Sequence, residues 1–227
     1  MSLETWNSWQ SELWYQFNFC TVYTLYSLGF SYRSVGSHHM PQQGPVLVIA
    51  NHESFLDPLA VGLAVRRRLH YLARKTLFTN PLFGNYLRSV GCVPVDQDGV
   101  AKEGLKTSID LLQAGKAMLI FPEGERSWKG QLAPFKPGIL LLLKRVKVPI
   151  VPVGIAGAYE AYPRGAAVPK FSPLFWTGTG RAVAAAVGKP IPSEKLAGMP
   201  REQILDTLFH AVQEQIDAAG KIVPKGV

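Results

Sequence analysis

The sequence predicts an α/β fold: a single domain with a mixed, mostly parallel sheet flanked by helices, preceded by an N-terminal amphipathic helical element. Three observations predict it. Short continuous apolar runs of strand length alternate with stretches of helical period. The chain has 227 residues, of which 47% are hydrophobic, so one sizeable core can form without dividing the chain. The opening segment differs in kind from the rest, holding ten of the 24 aromatics and no Lys or Arg before Arg33. These features divide the chain into residues 1–35 and a domain over residues 36–227.

In the first segment Leu13 to Tyr32 is uncharged and nearly long enough to span a bilayer. Thr21, Thr24, Ser27 and Ser31 recur at helical spacing beside Val22, Leu25 and the tyrosines, which favours a helix lying in a membrane interface over one crossing it. Trp6, Trp9 and Trp14 suit the headgroup level. The competing reading is that these aromatics cap the core of an ordinary helical hairpin. Glu4, Gln16 and Asn18 argue against a signal peptide.

The elements that follow are read in order. Val46 to Ala50 is a buried strand, and Asp57-Pro58 opens a helix running to Val65 with Pro in its first turn. Strands are expected at Leu69 to Ala73, Cys92 to Val95, Met118 to Phe121, Ile150 to Ile155 and Ala182 to Val187. Helices are expected at Val100 to Ala114, stopped by Gly115, and at Ile139 to Lys144. Pro163 to Pro173 reads as a surface loop. A last helix from Pro200 to about Ala219 carries Ile204, Leu205, Leu208, Phe209, Val212 and Ile216 on one stripe for packing on the sheet, and Gly220 is expected to end it.

The net charge is +8, with basic clusters at Arg66 to Arg68, Arg74-Lys75 and Lys144-Arg145-Lys147. Such clusters suit anionic headgroups or a phosphate-bearing donor. No recognition motif for nucleic acid accompanies the charge, so no nucleic-acid partner is expected. Cys20 and Cys92 form neither a disulfide framework nor a zinc pattern, and no metal is expected. His38-His39 reads as solvated, and Gly178-Thr179-Gly180 lacks the context of a nucleotide loop.

The chemistry concentrates in Asn51-His52-Glu53-Ser54-Phe55-Leu56-Asp57-Pro58 and Phe121-Pro122-Glu123-Gly124-Glu125-Arg126-Ser127. His52 follows a strand's carboxyl end, where open α/β sheets place their ligands. It can take and return a proton near neutral pH, and Asp57 would hold its tautomer. Five residues apart, the two would sit off one another's face on a straight helix, so they are expected to meet across a turn. Arg126 presents a rigid, permanently charged fork that matches phosphate oxygens; the competing reading is a surface ion pair with Glu123 or Glu125.

These blocks, with Gly91-Cys92-Val93-Pro94-Val95-Asp96 and Val148-Pro149-Ile150-Val151-Pro152-Val153 in order, resemble the glycerolipid acyltransferase family, the group containing bacterial 1-acyl-glycerol-3-phosphate acyltransferases. The likeness covers about residues 40 to 155. It implies transfer of a fatty acyl group from acyl-coenzyme A or acyl carrier protein to the free hydroxyl of lysophosphatidic acid, with His52 as general base oriented by Asp57. It further implies that Glu123, Gly124, Arg126 and Ser127 shape or form the acceptor site. Leu72-Ala73-Arg74-Lys75-Thr76-Leu77-Phe78 resembles the family segment whose cation assists the phosphate or the oxyanion, a place Arg74 or Lys75 would fill; a solvated basic surface is the alternative. The family's N-terminal element is often a two-helix membrane-docking unit, which implies a monotopic protein on the cytoplasmic face of an anionic membrane. No cofactor beyond the thioester co-substrate is implied.

Two positions depart from the family pattern. Gln97 stands where Arg is usual and Glu125 where Thr is common, so another lysophospholipid or lipid acceptor stays open. No Gly-x-Ser-x-Gly elbow occurs, and neither cysteine has a neighbouring His, which favours direct attack over an acyl-enzyme. A thioesterase or lipid hydrolase using the same base, and a silent lipid-binding protein, are the remaining alternatives.

Overall fold

The protein is described from a computed structural model, covering residues 8–96, 100–172 and 181–223. Trp6, Gln97, Pro173 and Gly178-Thr179-Gly180 lie outside the described residues. In chain order the elements are α1 (Ser8–Phe30), β1 (Arg33–Val35), β2 (Val46–Ala50), α2 (Asp57–Val65), β3 (His70–Arg74), α3 (Pro81–Ser89), β4 (Cys92–Val95), α4 (Val100–Gln113), β5 (Ala117–Ile120), α5 (Gly138–Arg145), β6 (Ile150–Ala156), α6 (Ala158–Ala161), β7 (Ala184–Val187) and α7 (Arg201–Ile222).

The seven strands lie in the order β1-β7-β6-β2-β5-β3-β4. Every neighbouring pair is parallel except β6 with β7. β2 sits in the middle, and all five of its residues are buried because both faces of the sheet are covered. Its alternate side chains feed two cores. Val46, Val48 and Ala50 pack with Tyr26 and Phe30 of α1 and with Ala60, Val61 and Ala64 of α2. Leu47 and Ile49 pack on the other face with Leu112 of α4, Ile139 and Leu142 of α5, and Leu208 and Val212 of α7. α7 lies so close to β6 that a Cβ on Gly154 would stand 2.0 Å from the backbone of Gln215, so only glycine fits there.

Chain connections leave β2 toward β3 on one side, and the chain later returns from β5 to β6 on the other. The order therefore reverses around β2, and the loops after β2, β5 and β6 converge at their carboxyl ends.

The structure corrects the sequence reading in three places. The described part of the N-terminal segment is one continuous helix rather than two. Thr21 and Thr24 are exposed as expected and also return bonds to the Phe17 and Cys20 carbonyls, while Ser31 is buried against the Ser172 carbonyl. The outward face also shows Trp9, Leu13, Phe17, Leu25 and Leu28, and no described helix is long and apolar enough to cross a membrane. Gly220 does not end α7, which runs on to Ile222. Finally, β1 and α3 were not expected. β1 is three residues long and paired only at the sheet's edge, while α3 begins on an Asn80 cap that accepts from Leu82 and Phe83, with Pro81 next.

Candidate active site

His52 stands two residues beyond the end of β2, and Asp57 opens α2. The connecting turn brings them together: His52 Nδ1 is 2.8 Å from Asp57 Oδ2. The same oxygen accepts from the backbone N–H groups of Glu53 at 2.6 Å and Ser54 at 2.7 Å. Three donors converging on one oxygen is an arrangement for an anion. Complete burial pushes the Asp57 carboxyl up, and the His52 ring and those two N–H groups pull against it. With Nδ1 committed, Nε2 is the nitrogen left to handle a substrate proton. The imidazole stacks on Phe121 with centroids 3.9 Å apart, and its side chain keeps 19% of its exposure.

The loop is fixed on three sides. Asn51 exchanges a pair of hydrogen bonds with the backbone of Ile155 on β6. Ser54 donates to the Tyr162 carbonyl after α6. The Tyr26 hydroxyl of α1 donates to the Leu56 carbonyl, so the N-terminal helix is tied to the first turn of α2.

The second motif is bonded to the first through backbone. The His52 N–H donates to Glu123 Oε1 at 2.6 Å, and the Ser127 N–H donates to the His52 carbonyl at 2.7 Å. Glu123 is buried, and its other oxygen accepts from Ala133 N–H at 2.8 Å. Both carboxyl oxygens therefore brace the chain rather than face a ligand. Burial pushes the Glu123 carboxyl up to about 7, against the pull of those two N–H groups. Gly124 turns the loop at φ 78°, and a Cβ there would meet the Lys136 side chain at 2.8 Å. The Ser127 hydroxyl donates to the Gln131 carbonyl and folds the turn that follows.

Arg126 is the motif's cation that faces the site. Its guanidinium lies 3.5 Å from the ring centre of Phe55, and among the described residues its buried Nη1 has no hydrogen-bond partner. Burial and the Arg164 guanidinium press on its charge, Asp57 supports it, and Arg74 opposes it from the end of β3. Arg74 thus belongs to the electrostatic environment of the site. Lys75 turns away to an exposed ion pair with Asp96 at 3.7 Å.

Sequence reasoning missed Arg164, which lies in a Pro-Arg-Gly loop that nothing in the chain connects to the motifs. It donates to Glu125 Oε2 at 3.1 Å and to the Arg126 carbonyl at 2.9 Å, and it stacks on Trp128 at 3.8 Å. Glu125, the departure from the usual Thr, is therefore paired with Arg164 and not with Arg126. Glu53 was also missed. It is buried beside the dyad, and burial raises its carboxyl well above the usual range, with the Asp57 and Glu160 charges adding to that.

Comparison with known proteins places this geometry. The family model described as Acyltransferase matches residues 31–156, which contain both motifs. A Bacillus subtilis 1-acyl-sn-glycerol-3-phosphate acyltransferase is 25% identical over 203 residues, covering 88% of this chain and 94% of that protein. A probable enzyme of the same name from Mycoplasma genitalium is 34% identical over 141 residues, 59% of this chain and 52% of its own. The crystal structure of the 1-acyl-sn-glycerophosphate acyltransferase PlsC from Thermotoga maritima shares the fold, with a TM-score of 0.67 at 23% identity over 90% of this chain and 78% of that one. The match spans more than half of the sequence and both motif loops, and the chain belongs to the acyltransferase family.

Proposed function

We propose that the chain transfers a fatty acyl group from an acyl thioester to the free hydroxyl of lysophosphatidic acid, giving phosphatidic acid. The observation that carries the reading is the ordered His52–Asp57 pair beside an Arg126 guanidinium whose buried Nη1 has no partner among the described residues. The names of the relatives support it.

His52 Nε2 removes the proton of the acceptor hydroxyl as that oxygen attacks the thioester carbonyl, and Asp57 stabilises the imidazolium without taking the proton. The tetrahedral intermediate collapses with loss of the thiolate, to which the imidazolium returns the proton. Arg126 grips the acceptor phosphate through a bidentate, charge-assisted contact, and Arg74 adds to the local positive potential. Glu123, Gly124 and Ser127 act on that loop rather than on the ligand. Because Arg164 neutralises Glu125, the unusual carboxylate does not repel a phosphate. The donor is acyl-coenzyme A or acyl carrier protein, and no cofactor takes part.

The exposed apolar face of α1 docks on the cytoplasmic leaflet of an anionic membrane without crossing it. Tyr26 couples that helix to the catalytic turn. The test is thiol release from acyl-coenzyme A or acyl carrier protein with a panel of lysolipids, the products being identified by mass. Release that requires lysophosphatidic acid is expected. Release without any acceptor would replace transfer by hydrolysis, and preference for an uncharged acceptor would remove Arg126 from its role.

A further inference from the structure

Between α1 and the far end of α2 lies a groove of about 420 Å³ lined by Tyr15, Gln16, Phe19, Tyr23 and Arg66. Arg66 is nine residues along α2 from Asp57, about 13 Å at the helical rise, so this groove is separate from the His52 site. The three successive arginines here do different things. Arg67 is committed to the Pro41 and Gly44 carbonyls. Arg68 is committed to the carbonyl and hydroxyl of Ser11 and stacks on Tyr15. Arg66 is exposed and has no hydrogen-bond partner among the described residues.

Arg66 is also held in the left-handed region, φ 50° and ψ 35°, at the helix C-terminus where glycine or asparagine is usual. Holding a non-glycine residue in this region carries a backbone cost. The groove's other wall is an aromatic ladder, with Tyr15 and Phe19 centroids 6.4 Å apart and Phe19 and Tyr23 stacked at 6.2 Å. At 3.6 residues per turn, Gln16 and Tyr23 lie along one edge of the exposed face formed by Trp9, Leu13, Phe17 and Leu28. A cation at the rim of an aromatic, outward-facing surface is complementary to a phosphate at the boundary between headgroups and acyl chains, and the carboxylate beside it, Glu12, accepts from the Gln16 amide at 2.8 Å.

We propose that this groove is an accessory site for the phosphodiester headgroup of an anionic bilayer phospholipid, with Arg66 pairing the phosphate and the ladder of Tyr15, Phe19 and Tyr23 flanking the glycerol and first methylenes. The site fixes how the catalytic domain is turned toward the membrane. It rests on the membrane-surface reading above, and the test separates the two.

The full chain is sedimented with vesicles of phosphatidylcholine alone and of phosphatidylcholine with phosphatidylglycerol, a lipid that is neither the proposed acceptor nor the product. Arg66→Gln should weaken binding to the anionic vesicles about fivefold, the value of one cation near such a surface, and weaken binding to neutral vesicles less, because the choline cation there already compensates the phosphate. Lys144→Gln, on α5 at the opposite face of the sheet, should change neither. Arg66→Gly should weaken anionic binding equally while holding or raising Tm, because glycine accepts the left-handed backbone. Equal behaviour of Arg66→Gln and Lys144→Gln would overturn the site, as would an Arg66→Gly variant with lowered Tm and unchanged binding. Loss of the anionic preference on adding glycerol 3-phosphate would overturn the assignment to a bilayer lipid. Failure to bind any vesicle would overturn the membrane reading together with this one.

Discussion

The two sides of the proposed catalytic crevice are held in different ways. On the side of the proposed proton relay, Asp57 Oδ2 collects three donors, Glu123 accepts on both oxygens, and His52 is held through its ring and through both backbone groups. On the anion side, the Arg126 guanidinium rests on Phe55 with an unpartnered nitrogen, among the described residues, and Arg74 is exposed. A proton relay needs one geometry held through the whole reaction, so its groups are fixed in advance, Asp57 through Oδ2 alone, since its buried Oδ1 has no hydrogen-bond partner among the described residues. A binding cation needs unfilled valence, so it is positioned by a ring face and leaves its donors to the ligand.

Predictions follow the difference from its strongest consequence to its weakest. Removing the relay should be nearly total. His52→Ala should lower kcat for acyl transfer by a factor on the order of 10² to 10⁴, the range for loss of a general base. Asp57→Asn should fall in the same range, because an amide presents the wrong partner to Nδ1–H. Vesicle binding should be unaffected in both. Steady-state kinetics that showed either variant within a few-fold of the parent would break the comparison at its rigid side.

Removing the binding cation should act on KM instead. Arg126→Gln should raise KM for lysophosphatidic acid by about 10- to 100-fold, the worth of one charge-assisted contact, with kcat far less altered. A matched drop in kcat with no change in KM would place Arg126 in the chemical step.

The contrast also explains which parts were legible in the sequence. β2 was bounded correctly because a strand buried on both faces writes itself as an unbroken apolar run. The His52–Asp57 contact was legible because Asp57-Pro58 can only open a helix, leaving the turn as the place where the two meet. The bracing was not. The motif leaves open whether Glu123 shapes the loop or forms the acceptor site, and its burial depends on where Ala133 returns, which no local pattern encodes. Arg164 was invisible for the same reason, since 38 residues separate it from the carbonyl it holds. The Asn80-Pro81 pair did signal α3, and its cap was there to be read.

The brace has a pH signature of defined sign. Burial raises the Glu123 carboxyl from its ordinary 4.5 to about 7, so the folded state holds this proton more tightly than the unfolded chain does. Its contribution to stability is fully present below about pH 4.5 and is lost as pH rises through about 7. Glu123→Gln cannot ionise, so Tm measured across that interval should flatten relative to the parent. Its amide also turns a donor toward one of the two N–H groups, which should lower Tm at the acid end by a cost of about 1–3 kcal/mol. An unchanged slope of Tm against pH would mean that Glu123 is not the titrating brace.

The smallest expected effect lies where the two sides meet, at Arg164. Arg164→Ala frees the Glu125 carboxylate and releases the Arg126 carbonyl, so KM for an anionic acceptor should rise only a few-fold, as expected for a partly exposed contact. Two explanations of that rise are separable. If Arg164 acts by neutralising Glu125, adding Glu125→Thr to Arg164→Ala removes the exposed negative charge and should recover most of the lost affinity. If Arg164 itself touched the phosphate, the double variant would remain as weak as the single one. Arg164 Nη1 already bonds the Arg126 carbonyl and Glu125, and the guanidinium stacks on Trp128, so this side chain is held against the loop, whereas the buried Nη1 of Arg126 has no partner among the described residues. Recovery is therefore the expected outcome, and it would place Arg164 with the braced half of the site despite its positive charge.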